Sequence, residues 1–227
     1  MLLEGLIDLI LPPRCGGCHL PGSWLCENCR RRIRRLSEPL CRRCGAELES
    51  GRATCTCKGR LRALTRLRSA VAYEGPVESA LHRFKYQGWR RLADPLAHLL
   101  AERIVVEGLA ALQIVAVPLH PDRERQRGFN QSELLAGELR RKLALGAPHG
   151  RLVRVRATVP QVGNDRLHRW ENVRDAFEWR GPALRGRSLM VVDDVATTGA
   201  TLEACASALR AAGSGPVIGV TVARVQM

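Results

Sequence analysis

The string Val191-Val192-Asp193-Asp194-Val195-Ala196-Thr197-Thr198-Gly199-Ala200-Thr201 carries the most pointed chemistry in this 227-residue chain. Ser188 to Val192 is an apolar run of buried-strand type, and it ends in two carboxylates, Asp193 and Asp194. In open α/β sheets ligands bind at the carboxyl ends of strands. Val195 to Gly199 then lead into a helical pattern bearing Leu202, Cys205, Ala206 and Leu209. A helix that starts on small and hydroxyl residues presents unpaired N–H groups and the positive end of its dipole, which suits an anion. Thr197, Thr198 and Thr201 add hydroxyl donors, and Gly199 permits close approach to the backbone. Two carboxylates beside such a cradle suit a ribose 5-phosphate: they accept from vicinal hydroxyls while the loop holds the phosphate. Helix capping explains one Thr or one Asp at such a place, but not the whole string. The Gly-x4-Gly-Lys-Ser/Thr order of a P-loop is absent.

A second string supports the first. Ile114 to Val117 is another short apolar run, followed by Pro118-Leu119-His120-Pro121 and then Arg123, Arg125, Arg127 and the start of a helix. Its strand is expected beside the first in a parallel sheet. The tight loop at Pro118, Leu119 and His120 suits a pyrophosphate, and Arg125 and Arg127 are the candidate counter-charges, because phosphate charges in a partly dry site need partners.

The cysteines form a separate centre. Eight of nine fall in close pairs: Cys15-x2-Cys18, Cys26-x2-Cys29, Cys41-x2-Cys44 and Cys55-x-Cys57. A close pair places two thiolates on one turn, and two pairs complete a tetrahedral zinc site. The count makes two structural Zn2+ sites with no open position. Sequential pairing, 15/18/26/29 and 41/44/55/57, needs only local chain reversals and is preferred; a cross-braced pairing satisfies the same ligand count. A segment this small cannot bury a core of its own, so metal binding supplies its folding energy. Cys205 stands apart in a helical pattern and reads as a buried small hydrophobe.

The net charge is +14, which points to polyanionic partners. Arg30, Arg31, Arg32, Arg34 and Arg35 lie between the two cysteine clusters and are candidates for gripping a nucleic-acid backbone. Eight thiolates and two Zn2+ bring the +8 of residues 1–68 down to +4, so the patch is locally offset. Aromatic residues are only 4%, which argues against an extended base-stacking platform. Met1 to Leu11 reads as a short amphipathic helix ended by Pro12-Pro13; it is too short to span a bilayer and carries Glu4 and Asp8, so it is a poor export signal. A cytoplasmic protein without a transmembrane segment is expected.

The elements that must position these groups are legible as strand and helix alternation. Strands are expected at Leu67–Tyr73, Ile114–Val117, Ser188–Val192 and Val217–Ala223. Helices are expected at Pro76–Gln87, Leu92–Val106, Gln131–Leu145 and Thr201–Ala212, and residues 146–182 read as a short strand pair and a mobile loop. Solid apolar strands between helices argue for an α/β fold with a parallel sheet covered on both faces. The expected division is a zinc-ribbon module with its N-terminal helix over 1–66 and an α/β domain over 67–227.

The Asp-Asp–Thr-Thr-Gly–Thr string resembles the phosphoribosyl-pyrophosphate signature of the type I phosphoribosyltransferases. That resemblance implies a Rossmann-like core with a flexible hood loop, a Mg2+-bound pyrophosphate leaving group, and a ribosyl carbon attacked by a nitrogen nucleophile. Taken with the leucine-rich first segment, the Pro12-Pro13-Arg14-Cys15 entry, the paired cysteines, Phe84-Lys85-Tyr86 and Arg127-Gly128-Phe129-Asn130-Gln131, the chain resembles the ComF/GntX family over nearly its whole length. Pro160-Gln161 to Arg169, Asn172-Val173 and Phe177 resemble that family's hood region. The resemblance implies that Asp193 and Asp194 bind ribose and Ala196 to Thr201 the phosphate. It also implies that Arg169 is a hood-loop cation at the reacting centre and Lys85 a pyrophosphate contact. The family is associated with natural competence and the use of external DNA.

Two functions follow. One is an enzyme that transfers a phosphoribosyl group from phosphoribosyl pyrophosphate to a nitrogen acceptor, mainly by electrostatic stabilisation. The other is a non-catalytic sensor of phosphoribosyl pyrophosphate or a nucleotide, with the basic zinc region holding single-stranded DNA. A scaffold that meets other DNA-uptake proteins through Met1–Leu11 is a third, weaker expectation.

Overall fold

Solid apolar runs in the sequence become strands buried on both faces. A computed structural model describes residues 12–48, 55, 57, 59–109, 111, 113–156 and 166–226, apart from the side chains of 166–169. The helix expected over Met1–Leu11 and the central part of the expected hood loop lie outside the described residues.

The strands in chain order are β1 (Leu64–Ala72), β2 (Gln113–Ala116), β3 (Arg151–Arg154), β4 (Phe177–Arg180), β5 (Leu189–Ala196) and β6 (Val217–Arg224). Four of them form one parallel sheet in the order β1-β6-β5-β2, while β3 and β4 pair antiparallel beside it. The helices are α1 (Glu27–Arg31), α2 (Gly75–Tyr86), α3 (Ala93–Val106), α4 (Pro121–Arg127), α5 (Gln131–Leu143), α6 (Arg166–Val173) and α7 (Ala200–Ala211). Successive residues of β5 serve opposite layers: Met190 and Val192 join the core under α2, α3 and α5, whereas Leu189 and Val191 join that under α7 and the β3–β4 hairpin. With both faces covered, the strand has no polar alternation to show.

Three elements differ from the sequence reading. First, β5 does not stop at Val192 but runs through to Ala196, because β6 continues to pair with it as far as Arg224. Asp193 and Asp194 therefore lie within the strand rather than beyond it. Its other neighbour, β2, ends opposite Val192, where the Val117 N–H bonds the Val192 carbonyl at 2.9 Å before Pro118 ends the pairing. That early stop leaves one side of β5 unpaired from Asp193 onward. Second, the arginine-bearing residues after the Pro118–His120 loop, for which no helix was expected, form the helix α4. Its ends follow ordinary capping rules, with His120 as N-cap, Pro121 in the first turn and Gly128 at φ +74 closing it. Third, the stretch read as a mobile loop contains α6.

The cysteine-bearing segment straddles the exposed edge of β1. Cys15, Leu25, Cys29 and Ile33 join the core on one face of the sheet, and Cys41 and Cys44 that on the other. Between them the chain crosses the edge strand: Arg35 pairs antiparallel with Val71, and the Ala72 N–H bonds the Arg34 carbonyl at 3.0 Å. Gly45 turns back over Leu67 at φ +69, where a Cβ would stand 2.7 Å from the Leu67 carbonyl oxygen. Phe84, fully buried with its ring 5.9 Å from that of Phe129, anchors the helical layer next to Lys85. Phe84→Ala is expected to destabilise the protein by about 3–5 kcal/mol, read as a fall in the urea midpoint.

Candidate functional site

The carboxylates at the end of β5 are held by three different elements. Lys85, in the last turn of α2, places its Nζ 3.0 Å from Asp194 Oδ1. Ser132, in the first turn of α5, donates its hydroxyl to Asp193 Oδ1 at 2.9 Å, and the Asp194 N–H donates to the same oxygen at 2.9 Å. Asn130 fixes Ser132: its side-chain oxygen accepts the Ser132 N–H at 3.0 Å, while its amide nitrogen donates to the Val117 carbonyl at 3.0 Å. The Arg-Gly-Phe-Asn-Gln-Ser stretch thus ends one helix, caps the next and ties the end of β2 to Asp193. Ser132 was not singled out from sequence, although an N-cap Asn followed two residues later by Ser on the helix face was visible.

Burial and the neighbouring Asp194 push the Asp193 carboxyl up to about 7, against the opposing pull of Lys85 and the two donors. Burial alone would lower Lys85, but Asp194 and Asp193 outweigh it and its ammonium is held more firmly than usual. Lys85 thus pairs with Asp194, while the adjacent Asp193 carboxyl is held above its ordinary range.

The loop after β5 turns into α7 at Gly199, which has φ +83. Thr198 Oγ1 accepts the Ala200 N–H at 3.3 Å, and Thr197, Thr198 and Thr201 are half-buried. Val195 is half-buried, and Ala196 and Ala200 are buried. On the other flank a cavity of about 400 Å³ is lined by Lys85, Tyr86, Gly88, Arg123, Gln126 and Arg127. Arg127 bonds Gln131 Oε1 at 3.0 Å and lies over the Tyr86 ring, 5.1 Å from its centroid. Arg123, Tyr86 and Gln126 were not selected from sequence, because only the packing of α4 against the end of α2 brings them to one cavity.

The remaining expected residues are placed as follows. Pro118 and Leu119 are half-buried on the way out of β2. His120 caps α4, with Nδ1 accepting the Asp122 N–H at 3.4 Å. Arg125 is exposed and engages Asp122 of its own helix. Arg169 falls in α6, and its side chain lies outside the described residues. Of the arginine run, Arg34 bonds Glu47 and Glu74 at 2.7 Å each, Arg35 bonds Glu102 at 2.7 Å, and Arg30 donates to the Leu25 carbonyl at 3.1 Å. Arg31 and Arg32 are exposed.

The cysteines come together in the sequential pairing: Cys15, Cys18, Cys26 and Cys29 in one group, and Cys41, Cys44, Cys55 and Cys57 in another, each with sulfurs within 4.8 Å of one another. Sulfur separations of 3.7 Å (Cys18–Cys26), 3.6 Å (Cys41–Cys57) and 3.4 Å (Cys44–Cys55) are close to the roughly 3.8 Å that tetrahedral zinc with bonds near 2.3 Å imposes. Desolvation raises the Cys15 thiol, but N–H donors from Cys26, Cys18 and Gly17 outweigh it and bring it to about 6. The same contest brings Cys41 to about 7, with donors from Cys44 and Arg43. These are two tetracysteine zinc-binding sites. Cys205 is fully buried, apart from both groups.

A parallel α/β sheet with a carboxylate pair at the end of an inner strand, bordered by two zinc knuckles, defines the class of protein. Residues 6–58 match the double zinc ribbon domain. The chain is 32% identical over 219 residues to the DNA utilization protein YhgH of Escherichia coli, covering 92% of this chain and 96% of that one. It is 31% identical over 207 residues to competence protein F of Haemophilus influenzae, covering 87% and 89%. Among solved structures, adenine phosphoribosyltransferase from Thermoanaerobacter pseudethanolicus aligns with 59% of this chain and 70% of its own at 15% identity, with a TM-score of 0.36. The chain belongs to the ComF family. No helix among the described residues is long and apolar enough to cross a membrane.

Two outcomes test this geometry. Metal analysis of the purified protein should find two Zn2+ per chain, and Co2+ substitution should give the spectrum of tetrahedral thiolate sites; a single equivalent would break the assignment of one cluster. For Asp193, the folded pKa of about 7 stands above the ordinary 3.8, so its stabilising contribution is full below the lower value and is lost as pH rises toward the upper one. Asp193→Asn should therefore raise the thermal midpoint more at pH 8 than at pH 5.5.

Proposed function

We propose that this chain binds phosphoribosyl pyrophosphate with Mg2+ at the carboxyl end of β5 and transfers the phosphoribosyl group to a nitrogen acceptor, in the service of DNA utilisation. The observation that carries this reading is the juxtaposition of Asp193 and Asp194 with the start of α7 on one side and a cation-lined cavity on the other. The carboxylates accept from the ribose 2- and 3-hydroxyls. The backbone N–H groups of the 197–199 loop and the hydroxyls of Thr197, Thr198 and Thr201 receive the 5-phosphate. Lys85, Arg123 and Arg127 face the pyrophosphate.

The Lys85–Asp194 ion pair gives the binding step a definite form. A ribose hydroxyl that donates to Asp194 competes with Lys85 for that carboxylate, and the released ammonium turns to the pyrophosphate. Mg2+ supplies further neutralisation of the pyrophosphate as a leaving group. In the transfer the ribosyl carbon–oxygen bond breaks, pyrophosphate departs with the bonding pair, a carbon–nitrogen bond forms, and the acceptor nitrogen releases a proton. Asp193 and Asp194 stabilise the positive charge that develops on the ribosyl ring, so no strong general base is needed. Arg169, in α6, is the hood cation proposed to close over the site. The context of DNA utilisation rests on the names of the relatives over nearly their full length.

Calorimetry of the zinc-loaded protein with phosphoribosyl pyrophosphate and Mg2+, repeated on Asp193→Asn/Asp194→Asn, tests the reading. The double variant should lose at least about a hundredfold in affinity, since two hydrogen bonds to charged acceptors contribute about 3 kcal/mol or more together. No binding by the intact protein would refute it. Binding without pyrophosphate release across a panel of bases would assign the site to sensing rather than transfer.

A further inference from the structure

The two zinc sites dock on different parts of the sheet, and the second is joined by hydrogen bonds to the elements that carry the 197–199 loop. The first lies against α2 and the turn that follows it: Gly16 packs on Leu92 and Ala80, and Arg83 donates to the Gly16 carbonyl at 2.6 Å. The second reaches the loop by two routes. Along one, Arg224 donates to the Cys44 carbonyl at 2.8 Å; Arg224 is the register partner of Ala196, and the Val225 N–H bonds the Ala196 carbonyl at 3.0 Å. Along the other, Arg43, inside the Cys41-x2-Cys44 knuckle, donates to the Leu61 carbonyl at 2.6 Å. The next three residues, Arg62, Ala63 and Leu64, give their N–H groups to one carboxylate, Glu203, at 2.6, 2.6 and 2.9 Å. Glu203 sits in the first turn of α7, and its own N–H bonds the Gly199 carbonyl at 2.9 Å. Leu67 and Leu61 close over Gly199, where a Cβ would stand 3.0 and 3.5 Å from them.

A first-turn glutamate ordinarily just complements its helix dipole. Here the same carboxylate gathers three backbone donors from the segment that leaves the second zinc site. Those donors converge only while residues 59–64 keep their course. The metal is what holds that course, because a tetracysteine knuckle folds with its ion. The knuckle is thus the two-state element that a coupling needs, and Glu203 is its contact with the loop.

We propose that Glu203 is a positioning residue that couples occupancy of the second zinc site to the shape of the 197–199 loop. Loss of metal from Cys41, Cys44, Cys55 and Cys57 then loosens the loop and weakens sugar-phosphate binding, whereas loss from the first site does not act by this route. The effect on binding rests on the phosphoribosyl reading of that loop, and linkage makes it reciprocal: the bound ligand slows metal loss from the second site.

The test compares zinc-loaded wild type, Glu203→Ala and Glu203→Gln without ligand. Each is challenged with EDTA while alkylation of every cysteine and amide exchange of residues 195–200 are followed by mass spectrometry. In Glu203→Ala the second cluster should be alkylated, and the loop exchange, about tenfold faster, with Cys15, Cys18, Cys26 and Cys29 at the wild-type rate. Glu203→Gln, which keeps a carbonyl acceptor, should fall between. Wild-type rates at the loop and the second cluster, or equal acceleration of both clusters, overturn the coupling. Phosphoribosyl pyrophosphate with Mg2+ is then added to wild type. Protection of the second cluster alone supports the reciprocal effect; protection of neither, with the Glu203→Ala split present, leaves the coupling standing and refutes the ligand reading.

Discussion

Two carboxyl groups on consecutive residues of a nearly buried strand are the constraint around which this protein is arranged. Asp194 is buried and Asp193 half-buried, and burial together with the charge of Asp194 raises the cost of ionising Asp193. The fold answers with a cation from the end of α2, a hydroxyl from the start of α5 and a backbone N–H from the strand itself. The early end of β2 completes the arrangement. Had β2 continued beside β5 to Ala196, its backbone would have covered the side of β5 that stands unpaired from Asp193 onward.

The cysteine segment solves a different problem at the other end of the sheet. β1 is an edge strand, and exposed edges invite pairing with other chains. Part of that edge is covered by the stretch around Arg35, with one zinc knuckle packed on each face beyond it. Arg34 and Arg35, which read as candidates for a nucleic-acid grip, are drawn into this docking by Glu47, Glu74 and Glu102. Local composition identifies a basic run but not its intramolecular partners, since Glu74 and Glu102 come from distant elements. The metal sites and the sheet are consequently one structure: Cys41 and Cys44 share a core with Leu64, Leu67 and Leu202.

Most strands and helices were legible because each is a long or solidly apolar run whose period needs no tertiary information. Those that were misread share a cause. α4 is built almost wholly of charged residues and buries none of them, so it offers no apolar stripe; its capping residues, His120, Pro121 and Gly128, were the available signal. The extension of β5 through Asp193 and Asp194 was hidden because polar residues in a strand read as its end, and only continued pairing with β6 shows otherwise. The carboxylates, the loop hydroxyls and the cysteine pairs were visible as types at short spacing. Ser132, Arg123 and Glu203 were not, because each meets its partners across a large sequence separation.

What the sequence determined by itself is the chemistry of short range: a strand–carboxylate–hydroxyl–glycine–helix string, and cysteine pairs whose spacing permits little besides a thiolate metal knuckle. These are local because a turn of backbone sets the distance between their donors. What the tertiary structure decided is which groups meet. It joined the cysteine pairs sequentially and set one knuckle on each face of the sheet. It brought Lys85 onto Asp194 and delivered three backbone N–H groups to Glu203. The meetings at Asp194 and Glu203 depend on where elements about 110 to 140 residues apart settle on a shared sheet, and that is fixed by the burial of apolar faces rather than by any spacing along the chain.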